Sequence, residues 1–258
     1  MTPRPTPSTQ RRETASVEPI GPKLAEGRDS EIYEHGPGRV LRVPRDGRSL
    51  VAEADIMRFA GERGFPVPGV HDAGRGYLVM DRLTGPTMLQ SALTHPQRIG
   101  SYGHLLAGLH IRLHQIEAPH WLTTEAAVKG DSLLHRDLHP LNVLMTKEGP
   151  VVIDWANAAR GDPAYDVADA WVLFATADAP GNPLVRSLAA VARGIFLRNF
   201  LGDLDADAAR AAIPAAVGHR LADRNMTEAE KERMRWLSAW SASGRPGPAK
   251  WGLHRTAC

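Results

Sequence analysis

The sequence nearly lacks cysteine. Its single thiol, Cys258, stands at the last position, so no disulfide can form within the chain and a disulfide-stapled secreted scaffold is excluded. No apolar run approaches the roughly 20 residues that cross a bilayer. The stretch from Met1 to Thr14 is Pro, Thr, Ser, Gln and Arg, not the apolar core of a secretory signal. Charge of one sign is missing too: 31 basic and 29 acidic side chains leave a net +2, which gives no electrostatic footprint for nucleic acid. The arginines near the ends (Arg4, Arg11, Arg12, Arg245, Arg255) read as solvated tails. There is no internal repeat. These absences predict a soluble, cytoplasmic chain with no nucleic-acid, membrane or obligate protein partner.

What is present suffices for a folded body. The 258 residues are 43 % hydrophobic, enough for a sizeable core in one large domain or two lobes. Residues 1–20 carry few large apolar side chains and read as a disordered tail; residues 241–258 read as a flexible one. Between them the pattern changes. Val40-Leu41-Arg42-Val43 reads as a strand stopped by Pro44, and Leu50 to Glu62 as a helix with Leu50, Ala54, Met57 and Ala60 on one face. Val67 to Val70 and Tyr77 to Met80 read as extended, with a Gly74-Arg75-Gly76 turn before the second. From Met88 helices dominate: Ile99 to Ile116, Leu188 to Leu201, Ala206 to Leu221, and one after Thr227, whose spacing to Glu230 is that of a capping box. Two β-like runs interrupt them, Asn142 to Met145 and Val151 to Asp154.

The chemistry sits around those two runs. Leu134-His135-Arg136-Asp137-Leu138-His139-Pro140-Leu141-Asn142 is followed, twelve residues after Asn142, by Asp154, and then by Asp162 and Asp166. Phosphoryl transfer needs cations on the phosphates and a carboxylate aimed at the acceptor hydroxyl, and little other covalent chemistry. Magnesium prefers hard oxygen ligands, one or two of them from protein. Asp137, Asn142 and Asp154 supply that set, and a hairpin from Leu144 to Ile153 would bring Asp154 beside Asn142.

His135-x-Asp137-x-x-x-x-Asn142, followed by an apolar strand and Asp154, resembles the catalytic and metal-binding loops of the aminoglycoside phosphotransferase and choline kinase-like family, itself related to the protein kinases. The resemblance implies an α+β, two-lobed protein kinase-like fold. A small β-sheet plus helix lobe would bind nucleotide (residues 21–83). A larger, mainly helical lobe would carry catalysis and the acceptor (84–240), with the nucleotide in the cleft between. It implies that Asp137 is the base or positions the acceptor, that Asn142 and Asp154 hold Mg²⁺, and that His139 reaches the transferring phosphate. His135 would support the loop and Asp166 would brace it. Residues 24–30, ending at Ser30, would cover the phosphates of ATP or GTP. Glu53 would pair with the strand cation, and the backbone from Asp81 to Leu83 would meet the nucleobase. One departure is Arg42, where the family usually has Lys; a guanidinium is longer and not equivalent. Only Ala156 to Gly161 separate Trp155 from Asp162, too short for a peptide platform. The implied enzyme is therefore an ATP- or GTP-dependent kinase of a small-molecule hydroxyl acceptor: an antibiotic, sugar or amino alcohol.

Other readings stay open. Arg42 leaves room for a non-catalytic nucleotide-binding module. His135, Asp137, His139, Asp154 and Asp162 can be read as a metal-dependent hydrolase site. His110 and His114 have the helical spacing of zinc ligands, but with no evident third ligand they read as partly exposed helix histidines. Asp203, Asp205 and Asp207 suit a solvated helix start. Trp155 and Trp171 read as core, whereas Trp236 and Trp240 suit a pocket wall as well as a core.

Overall fold

The computed structural model describes residues 21–27, 29–124, 129–177, 181–222 and 226–245. The tail of residues 1–20, most of the C-terminal tail and Arg28 of the phosphate-covering stretch lie outside the described residues. The chain divides into two compact units: residues up to Arg58 with Pro68–Arg82, and Phe59–Val67 with the chain from Leu83 onward. The fold class is α+β, with an antiparallel sheet in the first unit and a mainly helical second.

The first unit is a five-stranded sheet in the order β1-β2-β3-β5-β4, built from β1 (Lys23–Glu26), β2 (Ser30–Glu34), β3 (Arg39–Pro44), β4 (Val70–Gly74) and β5 (Tyr77–Asp81). All pairings are antiparallel; Ser30 stands opposite Pro44 and Ile32 opposite Arg42. Pro44 ends β3, where its missing N–H is harmless. The β4–β5 turn runs through Gly76 at φ 83°, a conformation that favours glycine. Helix α1 (Val51–Glu62) buries Ala54, Met57 and Ala60 on the face its spacing predicts. It ends in a Schellman turn: Phe65 N donates to Ala60 O and Gly64 N to Gly61 O, with Gly64 left-handed at φ 76°.

Phe59–Val67 belong to the second unit for visible reasons. Phe65 stacks edge-on against Trp155, Pro66 O accepts from Val152 N, and Gly64 O accepts from Arg112. The rest of that unit comprises α2 (Met88–Thr94), α3 (Ile99–His114), β6 (Ser132–Leu134), β7 (Val143–Thr146), β8 (Gly149–Val152), β9 (Ala159–Gly161), α4 (Pro163–Thr176), α5 (Pro183–Gly202), α6 (Ala206–Leu221) and α7 (Glu228–Ala242). Helix α3 packs on α5, and α4 packs on α6. The first contact is close because Gly103 is buried in α3: a Cβ there would stand 2.6 Å from Phe196 O. β6 pairs with β9, and β7 with β8, as two short antiparallel ribbons.

Several expectations are corrected. α5 begins at Pro183, earlier than expected, because Asn182 caps it by accepting from Val185 N and Pro183 suits the first helical position; Leu184 and Leu188 are exposed. Val67 to Gly69 lie outside any strand. α7 runs past the expected boundary at residue 240, to Ala242, after the Thr227–Glu230 capping box. Trp155 and Trp171 are core, and so is Trp240, which packs on Trp171; Trp236 is half exposed. Asp205 caps α6, Asp207 lies in its first turn, and Asp203 pairs with His104. Among the described residues, no helix is long and apolar enough to cross a membrane.

Candidate active site

The loop Leu134–Asn142 leaves β6 and enters β7, and it is held by bonds from every side. Its sharpest point is Arg136, at φ 62°. A non-glycine residue in this region costs on the order of 1 kcal/mol or more, and such strain clusters at functional sites. Among the described residues only Arg136 and Asp154, at φ 66°, share this feature. The strain at Arg136 is over-determined by neighbours. Its N–H donates to Asp166 Oδ1 at 2.6 Å, His135 N donates to Asp166 Oδ2 at 3.2 Å, and Arg136 O accepts from Arg220 at 2.8 Å.

These bonds aim Asp137. Its Oδ1 accepts from Arg220 Nη2 at 2.8 Å and its Oδ2 from Asn142 Nδ2 at 3.1 Å. His139 Nε2 lies 3.6 Å from Oδ1. The Asp137 side chain keeps 18 % of its surface exposed, so the carboxylate is fixed yet reachable. Burial would raise its pKa, but His139 and then Arg220 outweigh burial and hold the carboxyl well below the usual range.

Asn142 also donates to Asp137 O at 2.9 Å, which commits its amide nitrogen inward and leaves Oδ1 as its acceptor oxygen. Asn142 O accepts from Ile153 N at 3.0 Å, and His135 Nε2 donates to Ile153 O at 3.1 Å, the ring lying 4.7 Å from that of Trp155. Both backbone groups of Ile153 are thus tied to the loop, and Asp154 is the next residue. β8 stops at Val152, so Asp154 lies two residues beyond it in the left-handed region, and not at a strand end as expected. Burial lowers the His135 pKa, so the ring is neutral.

The hydrolase reading takes His135, Asp137, His139, Asp154 and Asp162 as metal ligands. Among the described residues these five do not gather three donor atoms at one point, and Asp162 is the N-cap of α4, accepting from Ala164 N. His135 uses Nε2 on Ile153 O.

Sequence reasoning missed four participants. Arg220, from α6, grips Asp169 through Nε and Nη2, both at 2.8 Å, while bonding Asp137 and Arg136 O. Asp169 and Asp137 raise the Arg220 pKa against the lowering effect of burial, and burial pushes the Asp169 carboxyl up to about 6. Of the two histidines read as partly exposed, His110 is fully buried and His114 keeps only 9 % of its side chain exposed. Both face Asp166, because their positions share the apolar stripe of α3 with Leu106 and Leu113. His114 Nε2 is 3.0 Å from Asp166 Oδ2. Burial would raise Asp166, but His114 and then His110 hold it well below the carboxylate range.

The first unit gathers three of the five residues expected at nucleotide. Arg42 bonds Glu53 Oε1 at 2.5 Å and Ser30 Oγ at 3.1 Å, with both ionic side chains nearly buried. Asp81 is apart from them: its carboxylate accepts from Gly69 N and contacts His71, leaving only its backbone for any other role. Leu83 is half-buried, two residues beyond β5.

Comparison with known proteins follows the same outline. The model of the phosphotransferase enzyme family matches residues 22–127 and 120–202. Solved structures with a similar fold include the ADP-bound aminoglycoside phosphotransferase APH(2'')-Ib, at 15 % identity and TM-score 0.54, covering 85 % of this chain and 93 % of that one. A choline/ethanolamine kinase family protein from Mesorhizobium loti is 18 % identical with TM-score 0.54, covering 88 % of each chain. The streptomycin–ATP complex of APH(2")-IIa is 17 % identical with TM-score 0.52, covering 77 % of this chain and 82 % of that one. Identities this low establish likeness of fold. No curated protein matches the chain in sequence.

Proposed function

The chain belongs to the phosphotransferase enzyme family, and from that premise we propose that it moves the γ-phosphoryl group of ATP or GTP to a hydroxyl of a small molecule. The observation that carries this reading is the Asp137 carboxylate, held by Arg220 on one oxygen and Asn142 on the other, yet open to solvent. Such a group aligns an acceptor O–H for in-line attack. Because it is held below the usual carboxylate range, it is a weak base. Its chief contribution is then to orient the hydroxyl, taking the proton as the bond to phosphorus forms.

The residues that would hold Mg²⁺ fit the ion. Asn142 turns its amide nitrogen toward Asp137, leaving a neutral oxygen, and Asp154, a carboxylate, follows Ile153, whose N–H is bonded to Asn142 O. Magnesium, when bound, neutralises phosphate charge. His139 would add a donor toward the transferring phosphate. Arg42, positioned by Glu53 and Ser30, would clamp nucleotide phosphates as a planar fork. The backbone from Asp81 to Leu83 would receive the base. His135 and Asp166 would keep the loop in its strained shape. Nucleotide use is supported by the similar structures that are named as ATP and ADP complexes.

Calorimetric titration of ATP and of GTP, with and without Mg²⁺, tests this reading. Metal-dependent binding is expected, and it should be lost in Asp154→Ala. Absence of binding by either nucleotide would overturn it.

A further inference from the structure

His110 presents a problem that no proton arrangement of the neutral ring solves. Its Nε2 lies 3.3 Å from Leu138 O, and its Nδ1 lies 3.7 Å from Asp166 Oδ2. Both neighbours are acceptors. A neutral imidazole has one N–H, so either tautomer points a lone pair at an oxygen. Nδ1 is fully buried and has no hydrogen-bond partner among the described residues. A doubly protonated ring would satisfy both sides only by placing a full charge on a side chain with no exposed surface.

A cation beside Nδ1 removes the conflict. His110, His114 and Asp166 each offer one donor atom, and the three lie within 4.8 Å of one another. His114 Nε2 is 3.0 Å and His110 Nδ1 3.7 Å from Asp166 Oδ2. Ligands at about 2.0–2.1 Å around a tetrahedral ion stand roughly 3.4 Å apart, between those two values. The histidines are four apart on α3, one turn above the other on a single face. The Leu138 carbonyl is placed to accept the Nε2–H of a ring bound through Nδ1, the usual outer partner of a ligating histidine.

We infer that His110 Nδ1, His114 Nε2 and Asp166 Oδ2 form a binding site for a zinc-class divalent cation behind the Asp137 loop. Two imidazoles and one carboxylate suit zinc or cobalt, not magnesium. The site shares no residue with the Asn142 and Asp154 pair, and the inference stands whether or not the chain transfers phosphate. His114 is the only one of the three ligands with any exposed side-chain surface, so the ion reaches the site past it. Asp166 also receives the N–H groups of His135 and Arg136, so the cation would be one carboxylate away from the strained turn.

The test uses the full chain, stripped with a chelator and titrated with Co²⁺ while visible absorption is followed. One equivalent should bind with the intense d–d bands of a tetrahedral site. In His110→Gln, checked for fold by circular dichroism, affinity should fall by at least roughly 100-fold. Asp207→Asn, at an exposed position in the first turn of α6, should bind as wild type does. Equal affinity in wild type and His110→Gln, or the absence of tetrahedral bands, would overturn the inference. If His110→Gln fails to fold, ¹⁵N histidine spectra of the wild-type chain decide. Zinc should move the His110 Nδ1 resonance, and an unmoved resonance would overturn the site.

Discussion

Arg220 and Asp137 are 83 residues apart in the chain and 2.8 Å apart in space. The same guanidinium grips Asp169 and Arg136 O, so a residue of α6 carries both the charge and the backbone of the loop. Removing it would leave Asp169 buried and unpaired. Arg220→Met is expected to lose about 3–5 kcal/mol of stability in urea unfolding, with turnover falling as well. Adding Asp169→Leu should restore most of the stability, since an apolar pair replaces a buried ionic one, but should not restore turnover. Recovery of both would show that Arg220 acts only in packing.

Protonation of the buried histidines should shape the stability of metal-free protein. The unfolded chain takes up the imidazole proton near pH 6.5, while folded His110 takes it up only near 4. Between those values the unfolded state holds more protons, so lowering the pH favours unfolding, by about 3 kcal/mol from this group. Asp166, depressed in the folded state, adds a further loss below about pH 4. His110→Gln should flatten the slope between pH 6.5 and 4 in denaturant melts. An unchanged slope would mean that His110 titrates normally.

The Arg42 fork makes a sharper distinction than charge alone. Arg42 reaches Glu53 with Nη1 and Ser30 with Nε. Lysine has one nitrogen, so Arg42→Lys should keep the Glu53 pair, lose the Ser30 bond and retain measurable nucleotide binding. Arg42→Ala leaves Glu53 without this cation and should abolish nucleotide binding. Calorimetry with ATP reads both variants.

The approach of α3 to α5 depends on one missing methyl group. Gly103→Ala would bring Cβ to 2.6 Å from Phe196 O and should destabilise the chain by about 1–3 kcal/mol, measured as a lower denaturant midpoint.

The parts of the site that are local in sequence were legible in it. The spacing from Asp137 to Asn142 and the apolar run before Asp154 mark two loops joined by a hairpin, and β7 and β8 are that hairpin. The first helix followed from its period, and the capping box at Thr227 from its spacing. What stayed hidden was long-range. Nothing near Arg220 announces Asp137, because the bond depends on the packing of α6 on α4. A signal did exist for the buried partners. Asp166 and Asp169 sit one turn apart in a helix otherwise rich in large apolar residues, and carboxylates there need cations or N–H donors. His110 lies four residues after Leu106 and three before Leu113, on the stripe that packs inward. The end of β8 was set two residues late, at Asp154, because a left-handed backbone at a non-glycine residue carries no compositional mark.

The central claim is that Asp137 directs phosphoryl transfer on a scaffold that binds nucleotide independently of it. The direct test is Asp137→Asn, with nucleotide affinity and turnover measured on the same preparation against a panel of hydroxyl acceptors. Turnover should fall by roughly 100- to 10,000-fold with ATP affinity nearly unchanged. Full turnover in Asp137→Asn, with an acceptor that the wild-type chain phosphorylates, would contradict the account.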